Sequence, residues 1–145
     1  MNTFERKVRG MKPSKIILSM VAALENPKFG VDMDEFGDVK DEGYSGCAAT
    51  HLISYISGEL PRADYVHFRW EGLKADLSFV RTFQFAIDSL RFGMVEAYNN
   101  KAEDIGIWKI PEHYTGKFPI LLNTNWKDQL DTLRELANQL KQEGL

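Results

Sequence analysis

The sequence contains a single cysteine, and this scarcity narrows the classes of protein to consider. One thiol cannot form a disulfide within the chain, which is typical of a protein from a reducing compartment. No apolar run approaches the roughly 20 residues that a membrane-spanning helix needs. The first fifteen residues are basic and include Gly10 and Pro13, unlike a secretory signal peptide. We therefore predict a cytoplasmic protein without a membrane partner.

The formal net charge is small, at −3, but the charged residues are unevenly distributed along the chain. Residues 1–15 contain five basic side chains and one carboxylate, whereas residues 25–42 contain seven carboxylates and two lysines. We interpret residues 1–12 as a basic, flexible N-terminal segment, because short charged termini are usually solvated. Residues 13–145 have the length and apolar content of a single globular domain. A phosphate-binding arm is the alternative for the basic segment, and it would make the protein a regulatory nucleic-acid binder, although the weak net charge does not favour a nucleic-acid partner.

Apolar periodicity predicts an α+β fold that is predominantly helical, with about four main helices and a few short edge strands. The helices are expected over residues 13–24, 45–57, 77–92 and 126–142. Pro13 suits a first helical position, and Ser45 and Asn125 are residue types that cap helix N-termini. Gly58 and Gly93 are suited to the ends of the second and third helices.

Short β-prone runs occupy residues 65–70, 105–110 and 118–122. We predict a strand over residues 65–70, and either a hairpin or two extended connectors over the other two runs. Pro119 favours an edge position for the last of these runs. In the final helix, the apolar residues repeat at alternating spacings of four and three, as they do in a coiled coil. This seam covers only about two heptads, so we predict that it packs within the chain rather than against a second copy.

The most unusual segment is residues 31–58, where an acidic loop leads into an apolar helix that carries Cys47. A thiol at a helix start lies near the positive end of the helix dipole, which favours a thiolate. A Cys-His-dependent hydrolase is therefore one hypothesis. It would use Cys47 as nucleophile, His113 or His67 as base, and Asn123 or Asn125 to orient the base.

A structural role for Cys47 is the stronger interpretation, because free cysteines are most often small buried apolar residues. The nearby carboxylates of Asp41 and Glu42 would also oppose a thiolate. We therefore assign no catalytic residue and predict a protein that is not an enzyme and has no cofactor.

Metal binding is a further alternative. Cys47 and His51 are four residues apart and share one helix face, so they could both coordinate zinc, but two more ligands would be needed. Asp32 and Asp34 fall at the first and third positions of an EF-hand-like loop. That pattern then fails, because Phe36 stands at the fifth position and no bidentate glutamate follows. We therefore assign no metal site.

The segment also resembles a pattern in small uncharacterised proteins of bacteriophages and bacteria. The shared features are Asp32-Met33, Phe36-Gly37 and the sequence GYSGCAATH over residues 43–51, which together cover about a fifth of the chain. In the related pattern a first cysteine stands where this chain has Glu42. The resemblance implies a small accessory protein, often phage-encoded, and implies no activity or catalytic residue.

The same residues predict a structural purpose. Gly46 permits a close approach of the backbone, and Thr50 and His51 are expected to hydrogen-bond the preceding loop and hold it against the helix. Val31, Met33 and Phe36 would anchor that loop on the core. The loop would then present a fixed acidic patch to a host protein with a basic surface. The predicted partner-binding residues are Asp32, Asp34, Glu35, Asp38, Asp41 and Glu42.

Overall fold

The computed structural model describes residues 3–40, 43–61 and 73–145. Over these ranges the chain is an α+β fold that is predominantly helical, which confirms the predicted class, with six α-helices rather than four. The helices are α1 (Thr3–Arg9), α2 (Pro13–Glu25), α3 (Ala48–Ser57), α4 (Leu77–Arg91), α5 (Val95–Ile105) and α6 (Leu130–Gln142). The strands are β1 (Gly30–Val31), β2 (Asp38–Lys40) and β3 (Gly43–Gly46). Within the described ranges, no helix has the length and apolar character needed to cross a membrane.

Helix α3 is the centre of the fold. It packs against α1, α2 and α4, and all of its residues except Tyr55 and Ser57 are buried. A helix that is apolar around most of its circumference must be covered on several sides. Its end at Gly58, which has a φ of 75°, confirms the predicted left-handed stop.

The three strands form one small sheet in the order β1-β3-β2. Strand β3 pairs in parallel with β1, with Gly30 beside Ser45, and antiparallel with β2, with Asp38 beside Ser45. The prediction of Ser45 as a helix cap is therefore wrong, because strand pairing engages this residue and α3 begins three residues later. Cys47 is the N-cap, and its side chain makes no capping hydrogen bond.

The N-terminal segment is not solvated as predicted. Residues 3–9 form α1, in which Phe4 and Val8 are buried. The ring of Phe4 contacts Phe79 and Phe83 edge-on at centroid distances of 6.2 and 6.1 Å. Two apolar side chains four residues apart are enough to dock a short helix, even when the residues between them are charged.

Of the two alternatives for the β-prone runs of the C-terminal half, the hairpin is wrong. Residue 105 ends α5, and residues 106–110 and 118–122 form no strand. Leu121 instead bonds to the end of α4: its N–H donates to the Arg91 carbonyl over 2.8 Å, and its carbonyl accepts from the Arg91 guanidinium over 3.1 Å. The β-prone run 65–70 lies outside the described residues.

Helix α6 confirms the predicted packing within the chain, because its leucine seam lies against α2. Residues Trp126–Gln129 form a separate 3₁₀ turn before it. Asn125 does not cap this turn: its side chain accepts from Leu122 N–H over 2.7 Å and donates to the Ile120 carbonyl over 3.0 Å. The end of α6 returns to the start of α2, where the Leu145 carbonyl accepts from Ser14 N–H and Oγ–H over 3.1 and 2.9 Å.

Candidate functional site

The acidic loop, defined here as residues 32–37, leaves strand β1 and passes over the start of α3. Its first residue is fixed to the sheet, because Asp32 N–H donates to the Gly46 carbonyl over 2.9 Å. The Asp32 carboxylate then accepts from Asp34 N–H over 3.0 Å, which closes a tight turn. Met33 is completely buried, and Val31 and Phe36 pack against the core, so the predicted anchors are confirmed.

A second support comes from Asn123, which lies about ninety residues further along the chain. Its amide oxygen accepts from Met33 N–H over 2.8 Å, with a sequence separation of 90. Its amide nitrogen donates to both carboxylates of the turn, over 3.1 Å to Asp32 and 3.2 Å to Asp34. One side chain thus satisfies a backbone donor and holds two negative charges side by side.

Beneath the acidic loop, Thr50 connects it to two helices. Its hydroxyl donates a short hydrogen bond to the Phe36 carbonyl and accepts from the Gln84 amide of α4 over 3.0 Å. Thr50 and Gln84 are both fully buried. Gly46 makes the approach possible, since a Cβ at this position would lie 2.7 Å from the Phe36 carbonyl oxygen. The loop-holding role predicted for Thr50 is confirmed.

His51 bonds to strand β1 and not, as predicted, to the acidic loop itself. Its Nε2 lies 2.9 Å from the Gly30 carbonyl, and its ring stacks on Phe29 at a centroid distance of 3.9 Å. Burial lowers the pKa of His51, and hydrogen bonds to the Gly30 and Gly46 backbone oppose that shift. A neutral imidazole therefore donates through Nε2 to strand β1.

The predicted partner-binding carboxylates differ in their exposure and location. Asp34 and Glu35 are exposed, and Asp32 is half-buried at the turn. Asp38 begins strand β2. Asp41 and Glu42, the last two residues predicted to contact a partner, lie outside the described residues.

Comparison with models of protein families, with curated proteins and with solved structures gave no match. The functional assignment therefore depends on the chemistry of the chain's own residues.

Cys47, His113 and Asn123 of the hydrolase hypothesis each have different partners in the structure. Cys47 is 1% exposed, and its Sγ lies 3.9 Å from the Thr50 hydroxyl. Burial raises the pKa of the Cys47 thiol, which is opposite to what a nucleophile needs. His113 is paired with Glu143 at 3.0 Å, and Asn123 is engaged by the acidic loop. His67, the other proposed base, lies outside the described residues.

The buried position of Cys47 leads to a direct prediction. In the folded protein, iodoacetamide at pH 8 should modify it about a hundredfold more slowly than a free thiol, because reaction requires the core to open. Guanidinium chloride should restore the ordinary rate. Mass spectrometry of the single adduct would follow both reactions, and folded-state alkylation as fast as that of a free thiol would contradict this placement.

The zinc alternative gains no support from the described residues. Although Cys47 and His51 lie on one helix face, the thiol is directed to Thr50 and the imidazole to Gly30. In residues 3–40, 43–61 and 73–145, no group of three or more histidine, cysteine or carboxylate side chains is arranged to hold a metal ion.

The basic residues of α1 are largely engaged within the fold. Lys7 donates to the Ile56 carbonyl over 3.2 Å. Arg9 donates to the Ile105 carbonyl over 3.0 Å, lies 3.6 Å from the Glu5 carboxylate and stacks over the Phe79 ring. These contacts give α1 a packing role and do not favour the phosphate-binding arm.

Two residues of the site were missed in the sequence. Asn123 was considered only as a catalytic orienter, since nothing in a linear sequence links it to a loop ninety residues earlier. Phe85 lies on the polar face of α4 and is 44% exposed, yet its ring meets Phe36 edge-on at 5.2 Å. The sequence signal for Phe85 is that an aromatic residue stands on an otherwise polar face of the predicted helix.

Proposed function

We propose that this chain is a noncatalytic accessory protein, encoded by a phage or mobile element, that binds a host protein through its acidic loop. The observation that carries the proposal is the Asn123 bridge, which holds the Asp32 and Asp34 carboxylates together on an exposed turn. Bringing two negative charges together is electrostatically unfavourable in isolation. A partner with a basic surface would relieve this repulsion and would gain orientation from the fixed geometry.

The framework under the loop supports the same proposal. Thr50, His51 and Gly46 each contact loop or strand backbone, so several residues of the GYSGCAATH segment serve to position the loop. The resemblance of this segment to phage and bacterial proteins is the basis for proposing an accessory role. A cytoplasmic location is part of the proposal, in keeping with the single cysteine.

Charge reversal at the two exposed loop residues tests the proposal. The variant Asp34→Lys with Glu35→Lys should lose about tenfold or more of the recovered partner in a quantitative pull-down from host lysate, because it replaces attraction with repulsion. Recovery by the unmodified protein should also fall as salt is raised.

A matched variant controls for net charge. Asp104→Lys with Glu135→Lys changes two exposed carboxylates on α5 and α6 and alters the net charge equally. It should recover the partner as the unmodified protein does. Equal recovery by the loop variant and this control would refute binding through the acidic loop.

A further inference from the structure

Four exposed apolar side chains lie on two adjoining segments next to the acidic loop. Phe85 of α4 and Phe92, the residue that caps the C-terminus of α4, are 44% and 41% exposed, and a separation of seven residues places them on the same side about 10 Å apart. Ile120 and Leu122 are 51% and 41% exposed on either side of the buried Leu121. We call Phe85, Phe92, Ile120 and Leu122 the apolar ridge.

The hydrogen bonds of Leu121 join the two halves of the ridge. Its backbone N–H and carbonyl are both bonded to Arg91, at the end of α4 and adjacent to Phe92. Leu121 points into the core, so its two neighbours along the chain are directed outward. Single exposed apolar residues are ordinary, but a cluster contributed by two adjoining segments is characteristic of an interaction surface.

Two separate contacts connect the apolar ridge to the acidic loop. Phe36 of the loop packs edge-on against Phe85 at a centroid distance of 5.2 Å and an interplanar angle of 87°. At the other end, Leu122 is followed directly by Asn123, which binds Asp32 and Asp34. The carboxylates therefore border the apolar side chains.

We propose that the acidic loop and the apolar ridge form one docking surface for a basic amphipathic helix. This inference rests on the proposed function and specifies its partner. An apolar centre with a charged border is the usual anatomy of a protein interface. The spacing of Phe85 and Phe92 is about two helical turns, so it matches apolar anchors at positions i and i+7 of a docked helix. Lysine or arginine side chains on the same helix would meet Asp34 and Glu35.

The charge at the border favours this occupant over a second copy of the chain. A twofold dimer uses the same patch on both subunits. Pairing the apolar ridge with itself would bring two copies of a surface bordered by Asp32 and Asp34 together, and like charges in proximity are unfavourable. A basic helix satisfies both the apolar and the charged parts of the surface.

The probe for this inference is a fluorescein-labelled peptide of about 14 residues, built from leucine and lysine, with leucines on one helical face. A peptide with glutamate in place of lysine and a scrambled peptide of the same composition are the controls. Fluorescence polarisation would measure affinity, and backbone amide NMR shifts would locate the contact. We expect saturable binding of the lysine peptide only, with shifts at residues 32–36, 85, 92 and 120–122.

Two variants separate this inference from the proposed function. Ile120→Ser with Leu122→Ser should weaken peptide binding about tenfold, and Asp34→Lys with Glu35→Lys should do the same. Tyr55→Ser with Leu60→Ser, which alters two comparably exposed apolar residues at the end of α3 and beyond it, should leave affinity within about twofold. Amide NMR spectra would confirm that every variant is folded.

Three other outcomes would contradict the proposed docking of a basic helix. If the loop variant loses binding and the Ile120/Leu122 variant does not, the acidic loop binds alone and the apolar ridge has no part in it. If the unmodified peptide does not bind saturably, or shifts residues elsewhere, the docking surface is refuted, whereas the host pull-down still decides the proposed function. A dimer by light scattering that the Ile120/Leu122 variant converts to a monomer would show that a second copy covers the ridge.

Discussion

Replacing Thr50 with valine is expected to lower the free energy of unfolding by about 2–6 kcal/mol, because two polar groups lose their hydrogen bond to the hydroxyl and each such loss typically costs about 1–3 kcal/mol. The Phe36 carbonyl would lose its donor, and the Gln84 amide would lose its acceptor. Among the described residues, the Gln84 amide oxygen already has no hydrogen-bond partner, so the variant would leave both polar atoms of this buried amide without one there. Urea denaturation followed by circular dichroism would measure the loss.

Two comparisons isolate the hydroxyl in this experiment. Thr50→Ser keeps both hydrogen bonds and removes only a methyl group, so it should cost about 1 kcal/mol. The double variant Thr50→Val with Gln84→Leu removes both partners of one bond and should be less destabilised than the two single changes predict by addition. If valine and serine at position 50 were equally destabilising, the hydroxyl would not connect the loop to α4.

Replacing Asn123 with alanine is expected to release the acidic loop while the helices stay folded. The change removes three hydrogen bonds, and the Met33 N–H alone is expected to cost about 1–2 kcal/mol when its acceptor is lost. The loss of stability should be confined to the acidic loop. Amides of residues 32–36 should exchange hydrogen faster, whereas those of α5 should exchange as before.

Partner binding should also weaken in Asn123→Ala, because a loop that is free in solution must be ordered on association. Asn123→Asp is the informative comparison, since it retains an acceptor for Met33 and adds a third carboxylate beside Asp32 and Asp34. At neutral pH it should be less stable than Asn123→Ala. Unaltered exchange in residues 32–36 of Asn123→Ala would show that Asn123 does not hold the loop.

Much of the helical framework could be predicted from the sequence, because the determinants are local. Helix α2 begins at Pro13, and α4 follows the predicted periodicity within a residue or two. The loop-supporting role of Thr50 was also predictable, since Thr50 lies 14 positions from the Phe36 carbonyl that it binds.

The other elements of the fold depend on tertiary contacts between residues that are far apart in the sequence. Helix α5 was missed because its buried residues, Val95, Tyr98 and Ala102, are few and are separated by polar and charged positions. The docking of α1 depends on Phe79 and Phe83, more than seventy residues away. Strand β3 was read as a helix start, because Ser45 suits a cap until its parallel partner at Gly30 is known.

The distance in sequence between Asp32 and Asn123 has a consequence for protein synthesis. The acidic turn leaves the ribosome early, but the side chain that joins its two carboxylates is made about ninety residues later. Leu122 and Ile120 of the apolar ridge are produced at that same late stage, as is α6, which covers α2. A nascent chain that stops before Asn123 would therefore carry the acidic residues without the bridge that holds Asp32 and Asp34 together. The proposed recognition of a host protein thus requires synthesis to have passed Asn123.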